Sequence, residues 1–364
     1  MKIALITDTH AGARNDAAAF NEYFLKFYRE IFFPYLDSHP EIETIVHLGD
    51  VFDRRKYVNF QTLESWRTNV FEKLEAWRLQ KEGRTIHIII GNHDTFFKNT
   101  NTTNSVTELL GKYNWDVYKD PTTINLGGTD VCIVPWICEE THNPTLIELQ
   151  KTQAQICMGH LELIGFDMFA GQTNLDHGYD PQLFNKFDRV FSGHFHHKSS
   201  KGNIDYLGSP YPMIWSDWGD RRGFHVFDTD TRDIEFIENP FQIFHKLFYN
   251  DTKETFESIM NQDFAALTGM YLKVIVQKKV NPYWFDQFIE ALQKASPCDI
   301  SIVEGSFEDS GETEDDVDEA KDTLTILMEY VDSLGLESGQ EDLKQVLRDL
   351  YIEALNTNDQ IQNS

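Results

Sequence analysis

The sequence predicts an α/β fold in which two β-sheets face each other and helices cover their outer faces. In the first half of the chain, short β-branched runs alternate with helical patterns, which is typical of α/β layering. From about Val131 most runs are strand-like, which indicates a second sheet beside the first. A length of 364 residues with 41% apolar content allows two or three domains, each with its own core.

The individual elements follow from the spacing of apolar residues. Helical spacing runs from Phe20 to Ile31 and from Leu63 to Leu74, and a further helix is predicted around Thr145 to Gln153. Strands are predicted at Lys2 to Thr7, Thr44 to Leu48, Thr85 to Ile90, Val131 to Pro135, Gln155 to Met158, Arg189 to Ser192, Asp205 to Leu207, Phe224 to Asp228 and Ile234 to Ile237.

Beyond the two sheets the chain changes character at Asn239-Pro240, a predicted domain boundary that closes a first domain of residues 1–240. Residues 241–304 alternate strand and helix patterns, which is enough for a small α/β domain. Residues 305–316 are acidic with interspersed glycine and serine, as in a solvated linker, and residues 317–364 form a predicted helical tail.

The charge of the chain is uneven. Its formal net charge is −27, and residues 305–364, with 3 basic and 17 acidic side chains, contribute −14 of it. The net charge is too negative for DNA binding through an overall positive charge, and the apolar content is too high for a disordered polyanion. Four cysteines without C-x-x-C spacing and the lack of an apolar stretch of about 18 residues predict a soluble, cytoplasmic protein with free thiols.

Five short motifs place polar side chains after predicted strands. Open α/β sheets build their sites at the carboxyl ends of strands, and a glycine before the polar residue lets the chain turn sharply into a cleft. The motifs are Asp8-Thr9-His10, Gly49-Asp50-Val51-Phe52-Asp53, Gly91-Asn92-His93-Asp94, Gly159-His160 and Gly193-His194-Phe195-His196.

Together the motifs supply two aspartates, one asparagine and four histidines as metal ligands. Seven ligands are too many for one tetrahedral zinc and suit two divalent ions that share a carboxylate. Two such ions about 3.5 to 4 Å apart are a standard device for hydrolysing phosphate esters. The ligands are Asp8, His10, Asp50, Asn92, His160, His194 and His196. His47, which alternates with Val46 and Leu48, is interpreted as a buried core histidine, and His197 is left out because it points away from His196.

These five motifs, in this order, resemble those of the calcineurin-like metallophosphoesterases. Within that superfamily the chain looks like the SbcD-like nuclease subunits of DNA double-strand-break repair complexes, and it is most similar to their T-even phage members. The resemblance is strong through His196, weaker at Tyr206 to Pro210 and Arg222 to Phe224, and architectural elsewhere. It implies a nuclease with exonuclease and single-strand endonuclease activity, acting in recombination and break repair.

The resemblance also implies residue roles. One metal would be held by Asp8, His10, Asp50 and His196, and the other by Asp50, Asn92, His160 and His194. His93 would protonate the leaving oxygen or stabilise the transition state, with Asp94 orienting its imidazole. The family usually works with manganese, for which magnesium can substitute. Some relatives have histidine where this chain has Asp53, so Asp53 is expected to bond the Arg54-Arg55 loop instead of taking a catalytic part.

Local clusters would have to hold DNA on so acidic a protein. Three basic groups border the predicted cleft: Arg54, Arg55 and Lys56; Lys198 and Lys201; and Arg221 and Arg222. Nearby aromatic residues could stack on unpaired bases or simply pack at the rim: Tyr57, Phe96, Phe97, Trp215 and Trp218.

By the same resemblance, residues 241–304 would cap the cleft and the tail would bind the coiled-coil base of an SMC-like ATPase. An isolated helix of this length is marginal and would expose its apolar stripe, so a partner groove or packing on the core is needed. The stripe comprises Leu324, Leu327, Val331, Leu334, Leu343, Leu347 and Leu350. A homodimer through helices of the first 120 residues is also expected.

Two other functions stay open at this stage. A phosphomonoesterase or protein phosphatase could use the same dinuclear scaffold, although it would not need the small domain or the tail. A non-catalytic metal-binding scaffold that recruits the ATPase is the second alternative, and the complete ligand set argues against it.

Overall fold

The computed structural model describes residues 1–169, 172–174, 177–304, 331, 343–344 and 346–347. Its strands are β1 (Lys2–Ile6), β2 (Ile42–His47), β3 (Thr85–Ile89), β4 (Asp116–Tyr118), β5 (Thr122–Leu126), β6 (Thr129–Val134), β7 (Ile156–His160), β8 (Asp167–Phe169), β9 (Gln172–Thr173), β10 (Arg189–Gly193), β11 (Ser199–Lys201), β12 (Ile204–Tyr206), β13 (Gly223–Asp228), β14 (Ile234–Glu238), β15 (Phe244–Asn250), β16 (Tyr271–Lys278) and β17 (Asp299–Glu304).

Helices connect these strands. The α-helices are α1 (Ala13–Asp16), α2 (Ala18–Phe27), α3 (Phe33–Ser38), α4 (Phe60–Trp66), α5 (Glu72–Leu79), α6 (Ser105–Leu110), α7 (Glu139–Lys151), α8 (Phe256–Met260) and α9 (Pro282–Lys294). Two π-helical turns, Tyr28–Phe32 and Arg67–Phe71, join α2 to α3 and α4 to α5. The two long helical segments that the apolar spacing predicts are therefore confirmed, each with one wider turn.

Two six-stranded sheets form the core of the fold. The first has the order β14-β13-β1-β2-β3-β4 and the second the order β11-β12-β10-β7-β6-β5. In the first sheet β1 to β4 are parallel, and in the second β6, β7, β10 and β12 are parallel. The carboxyl ends of the central strands therefore meet at one edge of each sheet. The predicted α/β two-sheet architecture is confirmed.

An apolar layer holds the sheets together. Leu5 and Val46 of the first sheet and Ile133 and Met158 of the second are fully buried in one cluster. Burying a side chain of this size contributes about 1.5 to 3 kcal/mol, so this layer is a main source of stability. The outer face of the first sheet packs on the aromatic helices α2 to α5, and that of the second packs on α7.

A small parallel sheet, β15-β16-β17, follows the two large sheets, with α9 packed on it through Phe285, Phe288 and Leu292. Residues Met1–Phe307 form one compact unit and Glu308–Ser364 a second. The division at residue 240 therefore stays a prediction.

The structure adds elements that the sequence patterns did not indicate. The second sheet begins at β5, before Val131, and the hairpin β8-β9 lies in the connection after β7. These strands are two to five residues long, too short to show periodicity. Among the described residues, no helix is long and apolar enough to cross a membrane.

Candidate metal centre

The loops after β1, β2, β3 and β10, together with the last residue of β7, converge at the carboxyl edge of the two sheets. They bring together all seven side chains that the sequence predicts as metal ligands, and His93 with them. Among the described residues, ligand atoms lie within 4.8 Å of one another in three groups: Asp8, His10 and His196; His10, Asp53 and His93; and Asp50, His160 and His194.

The backbone at this edge is bent sharply at the ligands themselves. Asp8, His10, Asp50 and His194 have φ values of 51°, 41°, 57° and 88°. Left-handed conformation costs a non-glycine residue about 1 to 2 kcal/mol, and such strain concentrates at functional sites. Hydrogen bonds hold it here: the Asp8 N–H donates to the Gly49 carbonyl at 3.0 Å, and the His194 N–H donates to the Asp8 carboxylate at 3.1 Å.

Most glycines of the motifs are needed because a side chain would not fit at their positions, not because the chain turns there. Gly49 does adopt a positive φ of 103°. Gly193 does not, but a Cβ there would lie 2.8 Å from the Leu48 carbonyl oxygen and 3.0 Å from Asp8 Oδ2. The expectation that each glycine turns the chain is therefore wrong at Gly91, Gly159 and Gly193, none of which has a positive φ. At each of them a Cβ would meet backbone or ligand atoms at 3.0 Å or less, so glycine permits a close approach.

The first ligand group centres on a pair of facing imidazoles. His10 Nε2 lies 3.0 Å from His196 Nε2. The Asp53 carboxylate lies 3.3 Å from His10 Nδ1, on the side of the ring opposite the Nε2 that faces His196. Two ring nitrogens that face each other in a buried site, beside the carboxylate of Asp8, form a donor set that suits a divalent cation.

The second ligand group lies across the site. Asn92 Oδ1 lies 2.9 Å from His160 Nε2 and 3.1 Å from His194 Nδ1. His160 Nδ1 is 2.8 Å from the Leu48 carbonyl, to which it donates, so Nε2 is the atom directed into the site. A carbonyl partner of this kind commonly fixes the tautomer of a metal-binding histidine.

Asp50 lies between the two groups. Its Oδ2 is 3.3 Å from His160 Nε2 and 3.7 Å from His10 Nε2, whereas Oδ1 accepts the His93 N–H at 2.8 Å. Burial alone would raise the pKa of Asp50, but His160 and His93 outweigh it and hold the pKa well below its usual range. A carboxylate that stays charged between two sets of ligands has the position of a bridging ligand.

Burial shapes the electrostatics of the imidazoles. It lowers the pKa of His194 to about 3 and that of His196 well below its ordinary value. It acts in the same direction on His10 and His160, but Asp53 and Asp50 respectively outweigh it and raise their pKa values to about 10 and about 9. His194 and His196 are therefore neutral, the form in which imidazole binds metals.

His93 stands beside this centre with one nitrogen occupied. Its Nδ1 is 2.5 Å from the backbone carbonyl of Asp53, and its ring meets the His10 ring edge-on at 4.8 Å between centroids. Because Nδ1 donates to that carbonyl, Nε2 is the atom available to other groups. Asp53 therefore contacts both His10 and His93.

Two expectations about aspartates in these motifs are wrong. Asp94 does not touch the His93 imidazole. Its buried carboxylate accepts backbone N–H groups at 2.9 to 3.3 Å, from Gly91, Asp50, Val51 and Phe52. Asp53 does not bond the Arg54-Arg55 loop, because Arg54 pairs with Asp16 at 2.7 Å and Arg55 donates to the Asn92 carbonyl at 2.7 Å. The Asp94 carboxylate thus binds backbone N–H groups and the Asp53 carboxylate faces the His10 ring, neither of which residue types alone revealed.

The predicted DNA-binding cations differ widely in exposure. Arg222 is only 2% exposed and is bound to Asp217, Asp220, Ser209 and the His196 carbonyl, so its assignment as a DNA contact is wrong. Arg221 is exposed but paired with Glu238. Lys56 and Lys201 are exposed, and Lys198 lies over the Phe236 ring. Trp215 is buried against Phe244, which leaves Tyr57, Phe96, Phe97 and Trp218 with exposed surface.

His47 and His197 are as expected. His47 is buried with Nε2 3.0 Å from the Thr9 hydroxyl, and His197 Nδ1 bonds Asp220 at 2.8 Å, away from the ligands. Of the apolar tail stripe, Val331, Leu343 and Leu347 are helical, whereas Leu324, Leu327, Leu334 and Leu350 lie outside the described residues.

The sequence patterns missed two residues at the site. One is Asp53, as a contact of His10 and His93. The other is Trp136, whose ring centroid lies 5.1 Å from that of His194. Trp136 lies two residues after the end of β6, so the rule that identified the other loops, polar residues just after a strand, could have found it had it included aromatic residues.

Comparisons with known proteins show the family of this chain. The family model described as calcineurin-like phosphoesterase matches residues 1–198. Exonuclease subunit 1 of Enterobacteria phage T4 is 33% identical over 318 residues, which cover 86% of this chain and 88% of that protein.

Solved structures with similarity include a novel archaeal phosphodiesterase, at 12% identity and a TM-score of 0.31 over 66% of this chain and all of that one. A hypothetical protein from Thermus thermophilus matches at 13% identity and a TM-score of 0.36, also over 66% of this chain and all of that one. From the family match and the phage relative, the chain belongs to the calcineurin-like phosphoesterase family.

Proposed function

We propose that this protein is a manganese-dependent DNA nuclease that cleaves phosphodiester bonds as an exonuclease and a single-strand endonuclease. The observation that carries the proposal is the position of Asp50, whose carboxylate lies between His10 and His160 and so between two sets of ligands. A site with one shared carboxylate and two histidine-rich sets suits two metal ions.

In this proposal one ion is held by Asp8, His10, Asp50 and His196, and the other by Asp50, Asn92, His160 and His194. The donor set contains oxygen and imidazole nitrogen but no thiolate, which suits manganese, with magnesium as a substitute. When bound, two such ions would activate water near neutral pH and neutralise the phosphoryl oxygens.

His93 would act on the leaving oxygen. Because Nδ1 is held by the Asp53 carbonyl, a proton on Nε2 is the one that can pass to the substrate. The T-shaped contact with His10 keeps the ring beside the ligand groups. Asp94 would support this step indirectly, by fixing the backbone of the loops that carry Asp50 and His93.

DNA is the proposed substrate because the phage relative, over most of its length, is named an exonuclease subunit. Because that relative is named a subunit, we also propose that this protein acts with a partner. The proposed partner is an SMC-like ATPase that binds the apolar stripe of the tail. With 14 of the 27 negative charges in residues 305–364, the catalytic part carries −13 over 304 residues. DNA binding by the isolated chain should therefore be weak and sensitive to salt, and the ATPase should supply most of the affinity.

The test is digestion of end-labelled duplex and single-stranded DNA with Mn²⁺, with and without the ATPase subunit, for the wild type and His93→Ala. We expect manganese-dependent cleavage that falls by about 10²- to 10⁴-fold in the variant, the range for loss of a general acid. Ile147→Ala, which changes an exposed residue of α7, serves as the control with unchanged cleavage.

Two results would overturn the proposal. Hydrolysis of 4-nitrophenyl phosphate without cleavage of DNA, even with the ATPase present, would assign the protein to the phosphomonoesterases or protein phosphatases. Full function of His93→Ala in cells would favour a non-catalytic scaffold.

A further inference from the structure

Trp136 borders the second ligand group. It follows β6 at the same sheet edge as the metal ligands, and its ring centroid lies 5.1 Å from that of His194 and 6.1 Å from that of His160. The interplanar angles are 45° and 70°, so the indole leans over these imidazoles without stacking flat on either. A substrate bound at His160 and His194 would therefore lie close to this ring.

The backbone of Trp136 is held at three points. Its N–H donates to the Ile90 carbonyl at 2.8 Å, and its carbonyl accepts from the Asn101 amide at 2.8 Å and the Thr141 hydroxyl at 3.0 Å. Asn101 itself is 1% exposed. The backbone that carries the ring is therefore fixed before any ligand binds, which lowers the entropy cost of binding.

The side chain of Trp136, in contrast, is only half-buried. Its indole N–H donates to no group in the part of the chain that the structure describes. Trp66 and Trp115 differ in this respect, since their indoles donate to Asn21 at 2.9 Å and to Glu75 at 2.8 Å. The unpaired N–H does not mark a binding surface by itself, since the Nε1 of Trp77, which is 3% exposed, also has no partner among the described residues. What distinguishes Trp136 is its position, because its half-buried ring lies beside the metal ligands and keeps surface that a ligand can contact.

Arg55 adds positive charge to the same part of the site. Its guanidinium donates to the Asn92 carbonyl at 2.7 Å and to the Thr95 hydroxyl at 2.9 Å, while Trp136 is anchored to Ile90, two residues before Asn92. A fixed aromatic face and a cation attached to one loop match the chemistry of a nucleotide, which offers a base to stack and a phosphate to neutralise.

We propose that Trp136 is a specificity-determining residue that stacks on an unpaired nucleobase next to the scissile phosphate. The inference rests on the proposed nuclease function and deepens it. It makes the site selective for single-stranded or frayed DNA, because the faces of a base within a duplex are already covered by its neighbours. It also separates DNA from simple phosphodiesters, which have no base to offer.

The experiment compares kcat/KM of the full chain with Mn²⁺ on two substrates, a single-stranded oligonucleotide and an abasic strand of the same length, which has the phosphodiesters but no ring to stack. A small diester, bis(4-nitrophenyl) phosphate, serves only to detect hydrolysis. Trp136→Ala should lower kcat/KM on the oligonucleotide by about 10- to 100-fold, the usual loss for one base stack, and leave that on the abasic strand within about twofold. Trp136→Phe should recover most of the loss. Ile147→Ala, which removes an apolar side chain that is 63% exposed on α7, is the control and should change neither substrate.

A second arm uses oligonucleotides with one abasic site at successive positions around the cleavage point. At one position the abasic site should lower wild-type cleavage about as much as Trp136→Ala does, and the two losses should not add, because both remove the same contact. Manganese stoichiometry, measured by titration, should be the same for the wild type and Trp136→Ala.

The outcomes separate the inference from the proposed function. If the wild type cleaves DNA and Trp136→Ala cleaves it equally well, the inference is wrong and the nuclease function stands. Equal losses on both substrates, or lost manganese binding, would assign Trp136 to holding His194 and would also overturn it. If the wild type hydrolyses the small diester but no DNA, both fall together.

Discussion

Asp94 and Arg222 are buried charged residues that anchor ligand loops of the first and the second sheet, but they are satisfied in different ways. Asp94 accepts four backbone N–H groups, from the loops that carry Asp50 and Asn92. Arg222 binds the carboxylates of Asp217 and Asp220 at 2.7 and 2.9 Å and also the carbonyl of His196.

The two anchors should therefore respond differently when the charged side chain is removed. Without Asp94, backbone N–H groups remain buried, and no change of side-chain conformation can satisfy them. Without Arg222, two carboxylates lose their cation, but Asp220 keeps His197 and Asp217 keeps the N–H groups of Met213 and Ile214. The loop of the first sheet therefore depends on its single anchor more than the loop of the second sheet does.

The largest effect should come from Asp94→Ala. It removes the acceptor of four buried N–H groups, each worth about 1 to 3 kcal/mol when left unpaired, so we expect a loss of about 4 kcal/mol or more in the free energy of unfolding. Nuclease activity should fall more than about 100-fold, because Asp50 and His93 lose their positions. Urea denaturation and DNA cleavage measure these two effects.

Asp94→Asn keeps one acceptor oxygen and should lose roughly half as much stability as Asp94→Ala. Equal stability of the wild type and Asp94→Ala would contradict the anchoring role.

Arg222→Met should lower the free energy of unfolding less than Asp94→Ala does, by about 3 kcal/mol, which is the lower end of the range for breaking a buried ion pair. Because the lost contact is on the His196 carbonyl, manganese affinity should fall at the group of Asp8, His10 and His196 and persist at the other. Titration calorimetry at two manganese sites would resolve this split.

Arg221→Met is the control for Arg222→Met. Its exposed pair with Glu238 should contribute less than about 1 kcal/mol, and manganese binding should be unchanged. Simultaneous weakening of both metal sites in Arg222→Met would contradict a local anchor.

Manganese itself should stabilise the fold by about 2.7 kcal/mol per site at a hundredfold excess over its Kd, since only the native state assembles the ligands. Asp50→Ala should lose most of this stabilisation, and His196→Ala should lose the part due to one site. Thermal denaturation with Mn²⁺ and with EDTA measures it, and superimposable curves under the two conditions would refute the site.

The smallest effect concerns His225, a buried histidine of β13 that anchors no loop. Burial and the nearby Lys198 lower its pKa to about 3. The unfolded chain binds a proton near pH 6.5 that the folded chain does not, so stability is present above pH 6.5 and is lost as the pH falls towards 3.

Below pH 6.5 this loss in the free energy of unfolding amounts to about 1.4 kcal/mol per pH unit, or about 2 kcal/mol at pH 5. His225→Phe should abolish it and leave activity at pH 7.5 unchanged. Urea denaturation between pH 7.5 and 5 is the measurement. A variant with the wild-type pH dependence would show that His225 is protonated in the native state.

The two-sheet α/β fold and the ligand motifs could be predicted from the sequence alone. Strand periodicity and the position of polar residues after strands are local properties of the chain. Parallel strands then bring Asp8 and Asp50 to one edge of the first sheet, and His160 and His194 to one edge of the second, whatever the details of the loops. Short edge strands such as β4 and β5 could not be predicted, since three to five residues carry too little pattern.

The bonding partner of each side chain could be identified only from the tertiary structure. Asp94 and Asp53 lie in the same kind of motif, yet Asp94 binds backbone amides while the Asp53 carboxylate faces His10 and its carbonyl binds His93. Likewise Arg221 is exposed and Arg222 is buried, although they are neighbours in the chain. Residue type sets what a group can bond, but burial and distance set what it does bond, and both depend on segments far away in sequence.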